Sequence, residues 1–167
     1  MVDIQTVSIV IASVSVVVAS AYYAFQIRHQ TRIRKMELIA KFSPALSMNG
    51  SEILKHWDLF MNLQFADLND YEKKYGSITD RSSLATQAFR TIGIYYESIG
   101  LLLQERLVDM KLVMLVEGTG IKLAWEKMKP LIEGFRERYN SPRFWEKFER
   151  MYDEVKKREQ QLASKTA

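Results

Sequence analysis

No cysteine occurs among the 167 residues, which excludes disulfides and any Cys-ligated zinc, iron–sulfur or haem site, although it assigns no compartment. Histidine is almost as scarce, with two copies. His29 lies in a basic run, and His56 has Asp58 two residues on, a spacing whose side chains point apart on a helix. The chain has no HExxH pair, no Walker loop and no GxSxG elbow. Seven glycines and three prolines are too few for extended low-complexity linker. No alternating strand pattern of useful length and no internal repeat is present.

Charge is missing from one place in particular. Ile4–Ile27 contains no Asp, Glu, Lys or Arg over 24 residues. At about 1.5 Å per residue such a helix reaches roughly 36 Å, enough for a hydrocarbon core of about 30 Å with some tilt. A cleaved signal peptide is the competing reading, since Ala19-Ser20-Ala21 has the small-x-small form of a cleavage site. Against it, Met1-Val2-Asp3 has no basic residue, and the run exceeds the usual apolar core of about 7–15 residues. The expectation is an uncleaved anchor over residues 1–27. Ser8, Ala12, Ser15 and Ala19 recur along one face, where another helix can approach closely. Tyr22, Tyr23 and Phe25 fall where an interfacial aromatic belt belongs.

Immediately after the uncharged run the chain turns basic. Arg28, Arg32, Arg34, Lys35 and Lys41 meet one acid, Glu37. Basic flanks stay in the cytoplasm, so the N-terminus is expected outside and residues 28–167 inside the cell (inner) membrane. Five of the 24 basic and two of the 20 acidic residues precede residue 42, leaving 19 against 18 beyond it. The basicity is therefore a juxtamembrane collar, and its natural partner is anionic lipid headgroup, contacted by Arg28, Arg32, Arg34 and Lys35. Nucleic acid is not expected as a partner, because no basic stripe continues through the rest of the chain.

Residues 28–50 read as a stalk and linker, with Pro44 ending any continuation of the first helix. Ser51 then caps a helix with Ile53, Leu54, Trp57, Phe60 and Met61 on one face. A short helix over Asp67–Tyr75 ends at Gly76. Thr79 or Asp80 opens a long helix, apolar nearly all round from Ile92 to Leu103, as a central buried helix is. Asp109 caps a short helix that Gly118-Thr119-Gly120 closes. A stripe from Ile121 to Tyr139 carries Pro130, which predicts a kink. Ser141-Pro142 opens the last helix, and residues 160–167 are expected to fray. Residues 51–159 are thus predicted to form a small all-α bundle. Trp57, Trp125 and Trp145 fall on apolar stripes and read as core.

The carboxylates are the remaining candidates for chemistry. Glu97 lies inside the most apolar helix, where a buried carboxylate needs a partner. Arg90, Arg136 or Arg138 can supply it; a structural ion pair with Arg136 is the leading expectation and a partner site the alternative. A two-metal carboxylate site needs paired Glu-x-x-His motifs, which are absent. No catalytic residue, metal site, cofactor or small-molecule substrate is indicated.

The run Tyr95-Tyr96-Glu97-Ser98-Ile99-Gly100-Leu101-Leu102, then Arg106-Leu107-Val108-Asp109, Trp125-Glu126-Lys127-Met128-Lys129-Pro130, Arg136 and Phe148-Glu149 resembles a family of small prokaryotic proteins catalogued only as a domain of unknown function. The resemblance covers most of residues 50–155. It implies an N-terminal membrane helix and a cytoplasmic all-helical domain, and it brings no activity, cofactor or partner. The expected function is a membrane-anchored, non-enzymatic interaction module that docks a protein partner or itself. An accessory subunit of a larger membrane enzyme or transport complex is the alternative, with a homo-oligomeric pore as the third reading.

Overall fold

A computed structural model describes the backbone of residues 3–42 and 50–166, and the side chains of residues 3, 13–31, 33, 37 and 52–164. Among these residues there are six helices and no strand, so the chain is all-α. It divides into two units, Met1–Leu38 and Ile39–Ala167.

The first unit holds helix α1 (Ile4–Phe42, 39 residues) up to Leu38. Neither Gly nor Pro interrupts it, and Phe42 is its last described residue. Ser20 Oγ donates to the Val16 carbonyl and Thr31 Oγ1 to the Ile27 carbonyl, each at 2.8 Å. These hydroxyls are thereby satisfied inside their own helix. Val14, Val16, Val17, Val18, Tyr22, Tyr23, Phe25 and Ile27 are between 53% and 68% exposed. Among the described residues, no helix is long and apolar enough to cross a membrane. The uncharged run starts at Ile4, but the side chains of residues 4–12 lie outside the described set. The described remainder, Ser13–Ile27, has 15 residues, short of the ~20 a spanning helix needs. The linker expected around Pro44 also lies outside the described residues.

The second unit holds α2 (Gly50–Asn62), α3 (Leu68–Tyr75), α4 (Leu84–Gln104), α5 (Met110–Arg138) and α6 (Glu146–Thr166). α4 packs against both α2 and α6, and α5 closes the bundle against α3, α4 and α6. Phe60, Phe89, Ile92, Tyr96, Ile121, Met128, Leu131 and Phe148 are at most 1% exposed and form the centre. Caps fix the helix starts: the Asp67 carboxylate accepts from Asp70 N at 2.8 Å, and Asp109 accepts from Leu112 N at 2.9 Å. Gly76, at φ 87°, ends α3 with its N–H on the Glu72 carbonyl. Lys127 reaches from α5 to the Leu63 carbonyl, 2.5 Å away, and lies 4.8 Å over the Phe65 ring. That contact fastens the α2–α3 connection to the bundle.

Several local expectations are corrected. Gly118-Thr119-Gly120 does not stop a helix, because α5 runs unbroken through it. At Gly120 a Cβ would lie 2.7 Å from Tyr96 Oη and 3.0 Å from Glu117 Oε2, so that glycine makes room for a neighbouring side chain. Pro130 sits inside α5, where the stripe from Ile121 to Tyr139 put it. α4 opens at Leu84, not near Asp80, since the Asp80 carboxylate accepts from Ser82 N (2.9 Å) and Ser82 Oγ (2.7 Å), a local turn that competes with helix. α6 opens at Glu146, not at Ser141-Pro142. Residues 141–145 form turns, and Trp145 takes φ 53°, which delivers its ring to the α4 side of the bundle. α6 runs to Thr166, and before residue 160 Arg158 pairs with Glu154 at 2.6 Å and Glu159 with Lys122 at 2.7 Å.

Candidate functional site

α4 presents two adjacent aromatic residues to α5. Tyr96 Oη donates to Glu117 Oε2 at 3.4 Å, and Tyr95 also hydrogen-bonds the Glu117 carboxyl. Tyr96 stacks on Phe148 with centroids 4.8 Å apart, meets Tyr95 edge-on at 4.9 Å and Trp57 at 6.1 Å. Burial raises the pKa of Glu117, opposed in part by the two phenols. Burial, reinforced by the Glu117 charge, also raises both tyrosines. No described cation pairs with Glu117. The group is a carboxyl held toward its neutral form inside an aromatic wall, suited to retaining a proton. Among the described residues, no group of three or more His, Cys, Asp or Glu side chains is placed to hold a metal ion.

Glu97 points elsewhere. Its Oε2 accepts from Phe148 N at 2.9 Å, and its Oε1 lies 3.4 Å from Lys147 Nζ. Phe148 is in the first turn of α6, whose backbone N–H groups lack partners within the helix, so Glu97 is an acidic cap supplied from α4. Arg136 does not pair with it. Its Nε and Nη2 donate to the Phe144 carbonyl at 3.0 and 2.8 Å, and Nη2 meets Glu149 at 2.8 Å. The two residues act separately, one from α4 and one from α5, on the same stretch, Phe144–Glu149. The expected pair therefore becomes two clamps on the entrance to α6. Arg138, the other basic candidate, binds Glu72 at 2.5 Å.

Of the residues expected at a membrane, Ser15, Ala19 and Arg28 are exposed on α1. The side chains of Ser8, Ala12, Arg32, Arg34 and Lys35 lie outside the described residues. Trp125 and Trp145 are buried and Trp57 is half-buried.

Sequence reasoning missed Glu117 altogether. Its signal was available in part: it stands three residues before Gly120 on one helix face, and the adjacent Tyr95-Tyr96 pair sits in the most apolar helix. It also missed an open groove of about 640 Å³ between the start of α5 and the end of α6. Leu112, Met114, Leu115 and Leu162 line it, with Lys111 and Arg158 beside them; Leu115 is 82% exposed.

An all-α bundle with a half-buried carboxyl, clamped helix entrances and an apolar groove defines an architecture without defining an activity. The family model described as "Domain of unknown function (DUF4760)" matches residues 9–155, and the chain belongs to that family. No curated protein and no solved structure matches it.

Proposed function

We propose that the chain is a membrane-anchored, non-enzymatic interaction module of a prokaryotic cell membrane, with α1 in the bilayer and the α2–α6 bundle at the cytoplasmic face. The observation that carries this reading is α1 itself. One uninterrupted helix joins a 24-residue uncharged run to a basic collar, and its described apolar side chains from Val14 to Ile27 are exposed. Exposed large apolar side chains over such a length call for an apolar surrounding. The basic collar favours the cytoplasmic orientation. The apolar groove supports docking, because an open patch of this kind serves a partner more readily than a reaction.

Fractionation of cells expressing the full chain tests the anchor. Retention in the membrane through alkaline carbonate washing, with loss of that retention when Val14, Val16, Val17 and Val18 are all replaced by Asp, is the expected result. Recovery of the intact chain in the aqueous fraction without detergent would overturn it. A second reading, an accessory subunit of a larger membrane complex, draws on the same groove; copurification with multi-span proteins at fixed stoichiometry distinguishes it.

A further inference from the structure

α4 buries one face in the bundle and leaves the other open. Along the open face, Leu84, Thr91 and Ser98 repeat every seven residues, and Gln87, Ile94 and Leu101 form a second row with the same period. These are the spacings of an a/d seam between paired helices. Leu84, Ile94 and Leu101 are 65%, 54% and 43% exposed, and Ser98 Oγ is satisfied by the Ile94 carbonyl at 2.7 Å. α4 has two charged residues in its 21, Arg90 and Glu97. They too stand seven apart, which places both on one edge of that seam. Arg90 is half-buried and makes no ion pair or side-chain hydrogen bond with a described residue. Glu97 holds Phe148 N closely and Lys147 only at 3.4 Å, so its carboxylate retains acceptor capacity.

We infer that α4 pairs with α4 of a second copy, antiparallel, about a two-fold axis between Gly93 and Ile94. In that register Arg90 of each copy meets Glu97 of the other, because antiparallel seams bring the same edge of both helices together. Ile94 lies near its own counterpart beside the axis, and the two rows face one another across it, Thr91 with Ile94, Gln87 with Ser98 and Leu84 with Leu101. A parallel pairing would put this edge of the two helices on opposite sides of the seam and leave Arg90 and Glu97 without each other, so the charges choose the direction. An isologous contact of this kind closes at two copies. The inference rests on the reading of the chain as a docking module but uses a different surface from the α5–α6 groove.

The absence of native cysteine makes the test direct. Ile94→Cys in the full chain, solubilised in mild detergent and gently oxidised, is expected to give a disulfide-linked dimer as the main product. Arg90→Glu in that background is expected to slow linking at least about fivefold. Adding Glu97→Arg, which also removes the cap on Phe148 N, should restore part of the rate in a chain that keeps its circular dichroism, and a folded double variant without any restoration would overturn the pairing of Arg90 with Glu97. Leu115→Cys, on the groove, should stay largely unlinked. If Leu115→Cys links and Ile94→Cys does not, the α4 contact is overturned while the docking reading survives. If neither links and the untouched chain sediments as a monomer, the α4 contact is overturned as well. Failure of amine-reactive crosslinking in native membranes to retrieve any partner would then remove the docking reading too.

Discussion

Gly93 lies in the middle of α4, where alanine would ordinarily be preferred by up to about 1 kcal/mol. Here the packing reverses that preference. A Cβ at position 93 would fall 2.0 Å from Trp145 Cζ2, 2.1 Å from Cη2 and 2.5 Å from Cε2, against a normal carbon–carbon separation of about 3.5–4.0 Å. The indole must withdraw by roughly 1.5 Å, and its surroundings resist. Its ring is 4.6 Å from Phe89 and 4.3 Å from Phe144, it is buried, and its backbone already holds φ 53°. Overpacking of this severity costs about 1–3 kcal/mol, and expulsion of the ring costs about 3–5 kcal/mol. We expect Gly93→Ala to destabilise the bundle by about 3 kcal/mol, read by urea denaturation monitored through tryptophan fluorescence and circular dichroism. Trp145→Phe removes the three atoms concerned, so in that background Gly93→Ala should cost much less, giving a coupling energy of more than about 1 kcal/mol. A Gly93→Ala variant within about 0.5 kcal/mol of the parent would refute the close approach of α6 to α4 at this point.

Other substitutions test the remaining contacts. Gly118→Ala, where the nearest side-chain atom to the new Cβ is Met114 Cβ at 3.8 Å, should stabilise α5 by up to about 1 kcal/mol in the same denaturation assay, the opposite sign to Gly93→Ala. Arg136→Ala removes both donors from the Phe144 carbonyl and the ion pair with Glu149, and should cost about 2 kcal/mol; Arg136→Lys should recover only part, lacking the guanidinium fork. For Glu117 the folded-state pKa is raised, so the folded chain binds the proton more tightly than the unfolded one. Its contribution is present below the ordinary carboxylate value and is lost as pH rises through the raised value. Glu117→Gln should therefore gain on the parent as pH rises through that window, at about 1.4 kcal/mol per tenfold difference in proton affinity. Parallel curves for parent and variant from about pH 4 to about pH 8 would refute the burial of this carboxyl.

The fold class was legible because helical periodicity survives in nearly every segment, and the Asp67 and Asp109 caps with Gly76 mark boundaries by local chemistry. Where local chemistry and tertiary contact disagree, the sequence misled. Gly118-Thr119-Gly120 has the composition of a stop, yet α5 crosses it because its flanks pack on α4, and packing outweighs a penalty of about 1 kcal/mol per glycine. Ser141-Pro142 has the form of a helix start, but the chain first spends residues 141–145 turning so that Trp145 can fill the space above Gly93. Neither event has a signal within a window of a few residues. Gly93 and Trp145 lie far apart in the chain, and only their joint placement makes the small residue necessary.

The charged residues show the same limit more sharply. Glu97 stands out in the sequence as a carboxylate that must be answered, but the group that answers it is largely a backbone N–H, which no composition displays. Arg136, its expected partner, is satisfied mainly by a backbone carbonyl. Both then act on the entrance to α6, one on Phe148 N and the other on Phe144 O, so the helix is gripped from α4 and from α5. That arrangement accounts for an α6 start set by tertiary contacts instead of by Ser141. It also leaves Arg90 as the cation of α4 without a described partner. If Arg90 is answered only by Glu97 of a second copy, Arg90→Ala should weaken pairing while leaving the urea midpoint of the monomeric bundle unchanged; if it is answered within its own chain, the midpoint should fall and the pairing should not move.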